Sequence, residues 1–269
     1  MSASSEERAL LHAQIVGDRT LDARLAERRR SALLLAPAPL LGAGLVALML
    51  ATSPGEAAAP GDAAALKAHG WLYALHLTAA AALAAVVGAL ELPHERSFLK
   101  RELVLGLSPD GLFAGKRRAL APIVMMQGLL LTAPYFVTAS TIAPPGWLLI
   151  NTLLACWLGL MAGLMVSAHV AEDARGASKL AVMVALVGLL CTCALHALGA
   201  PALLWALVPT SGLTKSLLLY EAGMVDGDSS GGFLLAALVV VVWGGLLARG
   251  ARSAFWFMAR SVGARHIDV

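Results

Sequence analysis

Between residues 119 and 171 the chain contains no Asp, Glu, Lys or Arg. A run of that length holds two apolar helices of about 20 residues with a turn between them, and each is long enough to cross a hydrocarbon core about 30 Å thick. A soluble core has no use for such a stretch. The composition points the same way: 59% of the 269 residues are hydrophobic and 14% charged, against about 25% charged in a soluble domain.

Six apolar segments stand out along the chain: 31–51, 71–90, 119–139, 147–170, 180–199 and 233–248. An even number of crossings puts both termini on one side. Lys and Arg residues are retained on the cytoplasmic side of a membrane. With both termini inside, six fall in 1–30, six in 91–118, two in 171–179 and four from 249 onward, leaving only Lys67 and Lys215 outside. The expected fold is therefore an all-α, multi-pass protein of the inner cell membrane with cytoplasmic N- and C-termini. Its six-span domain covers 31–250, between a cytoplasmic segment 1–30 and a tail 251–269. The first apolar run, 21 residues long, exceeds the roughly 7 to 15 of a signal-peptide core and is expected to be retained.

Residues 5–30 place Leu10, Leu11, Ile15, Leu21 and Leu25 among charged residues, a partial stripe that suits a helix lying on the membrane face. Pro37 and Pro39 predict a kink in the first span. On the outer side, segment 200–232 holds "PALLWALVP" and "SGLTKSLLLYEAG". Both are too short to cross and are punctuated by proline and glycine, which predicts a re-entrant pair of short helices.

Motifs for independent chemistry are missing. "GLFAGKRR" has the Gly-Lys pair of a phosphate-binding loop but has Asp110 where the first glycine belongs and no hydroxyl after Lys116. His69 and His76 share a helical face, yet neither they nor the other histidines form a metal-ligand motif, and no metal site is expected. Ser211 lies in "TSGLTKS" without a catalytic pattern. Cys156, Cys191 and Cys193 fall within apolar segments, so disulfides are not expected.

The polar residues of the spans are uncharged: His76, Thr78, Gln127, Thr132, Asn151, Thr152, Ser167, Thr192 and His196. Such residues bond neighbouring helices or line a substrate route. His76, Thr78, Thr192 and His196 are the candidates for a route by polarity alone. Without a charge at mid-membrane an ion-coupled carrier is disfavoured, and a transporter of this kind would draw its energy from a partner ATPase.

The stretch 91–118 is the exception to the apolar pattern. Wound as a helix over 93–105, it spreads Glu95, Arg96, Lys100, Arg101 and Glu102 around the axis, with Phe98, Leu99 and Leu103 between them. No opposite charges stand four apart to support the helix internally. Gly106 ends it, Ser108 caps a second helix and Pro109 takes that helix's first position. This second helix runs on into the third span as a lever, with Lys116, Arg117 and Arg118 expected at headgroup level.

"ERSFLKRELVLGLSPDGLFAGK", followed by Gln127, resembles the cytoplasmic loop of type-two ABC transporter permeases, especially the white-type or G-subfamily exporters. The matching positions are Glu95, Arg96, Arg101, Glu102, Gly106, Ser108, Lys116 and Gln127. The resemblance implies that Glu95, Arg96, Phe98, Leu99, Lys100, Arg101 and Glu102 form a coupling helix seated on a separate nucleotide-binding subunit, which would carry the ATP and Mg. It also implies pairing with a second permease copy or homologue, a cavity lined by the second and fifth spans, and export of a hydrophobic or amphipathic cargo. No cofactor bound by this chain and no nucleic-acid partner are expected, and the chain itself is not expected to be an enzyme. Two other readings remain: a membrane scaffold or sensor that docks a signalling protein through the same loop, and a lipid-modifying enzyme using His94, Glu95 and Glu102.

Overall fold

The computed structural model describes residues 5–26, 35–52, 63–93, 108–138, 145–170, 173–226 and 230–264. The segment 94–107, which carries the expected coupling residues Glu95, Arg96, Phe98, Leu99, Lys100, Arg101 and Glu102, lies outside them. Among the described residues the elements are helices: α1 (Ser5–Ala26), α2 (Pro37–Thr52), α3 (Ala63–Ala89), α4 (Pro109–Thr138), α5 (Pro145–His169), α6 (Ala174–Ala197), α7 (Ala202–Trp205), α8 (Pro209–Asp226) and α9 (Ser230–Ala264). Five stretches are long and apolar enough to cross a membrane: His69–Pro93, Pro109–Phe136, Pro145–His169, Ala174–Ala197 and Ser230–Arg260. The chain is thus helical with multi-pass membrane character.

Each element begins or breaks for a local reason. The helical path is interrupted at Ala36 and resumes as α2 at Pro37, so Pro37 and Pro39 sit in a first turn whose amides have no intrahelical partner. With 16 residues, α2 is about 24 Å long and stays below the length of a full crossing. In α4 the Ser108 hydroxyl accepts from the Gly111 amide at 3.0 Å. From that cap, lever and span form one continuous helix of 30 residues that contains Pro122 and Pro134. The last helix does not stop at the expected 248 but continues to Ala264.

The core is the parallel pair α3 and α5, whose contacts advance together from His76–Thr152 through Ala81–Gly159 to Leu92–Ser167. Of their spanning windows 67% and 61% is buried, against 11% for α6 and 17% for α9. The inner pair meets through small residues. A Cβ at Gly159 would collide with the Ala81 carbonyl oxygen, so the two backbones touch where a side chain would normally stand. Around the pair, α2 and α4 cover one side and α6, α8 and α9 the other. The outward faces of α6 and α9 carry exposed Met183, Val187, Leu190, Leu234, Val241 and Leu246, as helices facing lipid do.

The bundle has two distinct ends. At one, α1 lies across the start of α4 with Val16 and Thr20 each 1% exposed. Gly115 lets the two helices close, since a Cβ there would stand 2.7 Å from the Ala13 carbonyl oxygen. Leu10, Leu11 and Ile15 of the sequence stripe face away, all more than half exposed. At the other end, α8 tucks between the spans and buries Ser211, Leu213, Thr214 and Ser216 completely.

The α3–α5 contact predicts that Gly159→Val forces the central pair apart and costs about 3 kcal/mol or more. Gly245→Ala on α9, where an added methyl meets nothing within 4 Å, leaves stability level or raises it by up to about 1 kcal/mol. Thermal unfolding of the purified variants in detergent, followed by loss of the monodisperse peak, measures both.

Candidate functional site

The α1 end of the bundle gathers the charges that the spans exclude. Lys116 sits two turns into α4 and is fully buried, and its ammonium donates to Glu91 Oε1 at 2.8 Å and to the Thr20 hydroxyl at 3.0 Å. Glu91, itself 1% exposed, lies in the short helical stretch 91–93 just past the end of α3. The next residue, Leu92, gives its amide to the Ser167 hydroxyl of α5 at 3.0 Å. Four helices are therefore tied at one buried point. Segment 94–107 leaves the junction just after Glu91 and returns to it just before Ser108.

Taking two charges out of water costs several kcal/mol each, and their attraction offsets this only when the geometry is good and further hydrogen bonds are made. Thr20 supplies one such bond. A second tie lies alongside, where Asp110 in the first turn of α4 receives Arg252 of α9 through Nε at 2.6 Å and Nη2 at 2.8 Å. Trp256 Nε1 donates to the same carboxylate at 3.1 Å. The fork-shaped contact fixes the angle as well as the distance, and Asp110 also suits the positive end of the helix dipole.

The expected basic trio divides. Lys116 turns inward to Glu91 instead of facing headgroups, because α1 covers it. Arg117 is half-buried, with its guanidinium 5.8 Å from the ring centres of both Phe113 and Trp157, and Arg118 is exposed. Ser108, besides capping α4, gives its amide to His12 Nδ1 of α1 at 3.4 Å.

The four candidates for a substrate route are not brought to one place. His76, fully buried on α3, meets Thr152 of α5 at 2.9 Å. The Thr152 hydroxyl already donates to the Leu148 carbonyl at 2.7 Å, so His76 Nε2 is the donor between the two. The imidazole edge packs on Tyr135, centre to centre 4.9 Å. Thr78 is buried nearby on α3, its hydroxyl oxygen without a hydrogen bond. Thr192 lies on α6, donates to the Gly188 carbonyl at 2.7 Å and accepts from Ser211 of α8 at 2.7 Å. His196 stacks edge-on against Trp71 at 5.0 Å and Trp205 at 5.9 Å.

A pattern that the sequence did not single out emerges at the α8 end: α3, α5 and α6 each send a polar group to α8. Ser216 donates to Asn151 Oδ1 of α5 at 2.7 Å, and Ser211 meets Thr192 of α6. Glu221 takes His69 Nδ1 at 2.6 Å and the Tyr73 hydroxyl at 3.1 Å, both from α3. Lys215 lies 5.5 Å from the Trp205 ring centre, and burial pushes its ammonium below its ordinary range. The sequence signal was the density of hydroxyls in "TSGLTKS", all four of which are buried on α8.

All three cysteines are free thiols. Among the described residues no three His, Cys, Asp or Glu side chains converge as metal ligands. No protein-family model matches the chain, and no match to a curated protein was found.

The junction predicts an asymmetry between single and double substitution. Lys116→Met takes the opposite charge from the buried Glu91 carboxylate and costs about 3 to 5 kcal/mol, whereas Lys116→Met with Glu91→Leu recovers most of that loss. Melting temperatures of the three proteins in the same detergent provide the check.

Proposed function

We propose that the chain is the permease subunit of an ATP-driven ABC transporter, docking a separate nucleotide-binding subunit through residues 94–107. The observation that carries the reading is the buried Glu91–Lys116 contact, which brings together the two stretches of chain that bracket this segment. A docking element transmits force only if its base is stiff. Here the base joins α1, α3, α4 and α5 and is braced by the Asp110–Arg252 fork to α9. A push on 94–107 would reach the spans through α4, one unbroken helix from Pro109 to Thr138.

In this reading the segment 31–51, which includes most of α2, is the first of six spans. The termini, α1 and segment 94–107 are cytoplasmic, where most Lys and Arg fall. Glu95 to Glu102 contact the ATPase, which binds ATP and Mg. Two permease copies, or this chain and a homologue, enclose the path. The hydroxyl-rich α8, held by α3, α5 and α6, closes its far side. Thr192 and His196 are the candidates nearest that closure, while His76 and Thr78 lie deeper. Export of a hydrophobic or amphipathic molecule such as a lipid, glycan, drug or natural product suits a bundle with uncharged span interiors, and the direction follows the resemblance alone.

Purification of the tagged full chain from its own membranes is expected to bring down a second chain that carries a phosphate-binding loop. Reconstituted together, the pair hydrolyses ATP faster than the ATPase alone. Glu102→Gln removes most of that stimulation without reducing the amount of chain in the membrane. Stimulation unchanged by this substitution, together with loss of lipid turnover, would instead favour the membrane enzyme. Capture of a signalling protein without an ATPase would favour the scaffold.

A further inference from the structure

Lys215 stands apart from the cations gathered at the α1 end. It lies on α8 and is half-buried. Among the described residues its ammonium has no carboxylate partner and no hydrogen-bond acceptor, and it lies over the face of Trp205. The nearest carboxylate along α8, Glu221, is taken by His69 and Tyr73 of α3. The ammonium is not enclosed, in contrast to the Thr210 hydroxyl of the same helix. It has therefore given up part of its water without gaining an anion, which is why its affinity for the proton falls.

Trp205 places this ammonium at the edge of the apolar layer. Its ring is 5.9 Å from His196, in the last turn of α6. His196 is in turn 5.0 Å from Trp71, in the first turn of the apolar stretch His69–Pro93. One crossing ends and another begins at this level, and Trp side chains collect where the headgroups of a membrane start. The connector that holds Trp205 is apolar and outward-facing: Leu198 and Leu203 are each 80% exposed and Leu207 65%. Exposed leucines at the depth of a headgroup-level Trp are suited to acyl chains.

The two features together select one kind of molecule. An ammonium short of an anion takes a phosphodiester, and the leucines take hydrocarbon. An anionic phospholipid offers both in one molecule, whereas a zwitterionic one brings its own cation to compete for the phosphodiester. A soluble phosphate would satisfy the ammonium and leave the leucines in water. An apolar helix of another protein would cover the leucines and leave the ammonium without an anion.

We propose that Lys215 and the exposed leucines of the α6–α8 connector form a binding site for one anionic phospholipid in the leaflet at the α8 end, with the ammonium on the phosphodiester and the leucines along the acyl chains. The site rests on the membrane character of the bundle and not on the permease reading, because lipid preference is read with no ATPase present.

The test places a photoreactive amino acid at Leu203 in the full chain, in nanodiscs of phosphatidylglycerol and phosphatidylcholine in equal parts. Photolysis followed by mass analysis of the lipid adducts reads the occupant. The expected result is an excess of phosphatidylglycerol over phosphatidylcholine of about three- to tenfold, the worth of one lysine at an anionic surface. The same probe at Leu190, on the lipid-facing side of α6 and 68% exposed, returns the bulk ratio. Lys215→Met brings the ratio at position 203 back to bulk, and Lys215→Arg, which keeps the charge, preserves the excess. If Lys215→Met fails to fold, Lys215→Gln decides. Adducts at position 203 in the bulk ratio, or an excess indifferent to loss of the Lys215 charge, overturn the proposal. So does a probe that links only to a second copy of the chain. An excess erased by inorganic phosphate, with ionic strength held level by chloride, assigns the ammonium to a soluble anion and overturns it too.

Discussion

The rest of the structure depends on a charge buried inside the bundle. Lys116 lies within a helix that becomes membrane-spanning, covered by α1, and the Glu91 carboxylate neutralises it at 2.8 Å. Without that carboxylate a buried ammonium would lose its opposite charge. With it, the end of α3, the start of α4 and the N-terminal helix must meet at one point. The geometry of the whole α1 end follows: Thr20 accepts a second hydrogen bond from the ammonium, Ser167 holds the amide of Leu92 next to Glu91, and Arg252 brings α9 to the cap of α4. Buried ion pairs contribute little net stability, but a pair of this kind permits few alternative arrangements.

The two ends of the bundle solve opposite problems. At the α1 end a few full charges fix helix positions through strong, directional contacts. At the α8 end the same task is spread over hydroxyls, amides and one Glu–His contact, with Asn151, Thr192 and His69 each giving α8 a foothold. Neutral hydrogen bonds between membrane helices contribute about 1 kcal/mol each, so α8 is held by many small terms. Such an element can shift without the bundle coming apart. Between the ends, α3 and α5 touch backbone to backbone at Ala81 and Gly159, a rigid axis that links the two.

Much of this was legible in the sequence because bilayer thickness acts on local stretches of chain. Missing charges located the apolar cores of α3, α4, α5, α6 and α9, and Ser108 with Pro109 marked where α4 begins. The limit of α9 was not legible, because a hydropathy pattern does not show the helix continuing past residue 248 to Ala264. The least legible features were pairings across the chain. Thr20 and Lys116 are 96 residues apart, Asp110 and Arg252 are 142 apart, and His69 and Glu221 are 152 apart. Nothing local marks such partners, so Lys116 read as a headgroup contact and Glu91 as one more loop charge. The four route candidates were chosen by polarity, which does not distinguish a residue that lines a path from one that bonds a neighbouring helix, as His76 does with Thr152.

The central claim is that the segment held between Glu91 and Ser108 meets an ATPase. A photoreactive amino acid placed at Phe98 in the full chain, in native membranes, tests it most directly. The account predicts a crosslinked product with a chain that carries a phosphate-binding loop, in a yield that changes when ATP replaces ADP. Products formed only with lipid, or with a protein lacking that loop and indifferent to nucleotide, would contradict it.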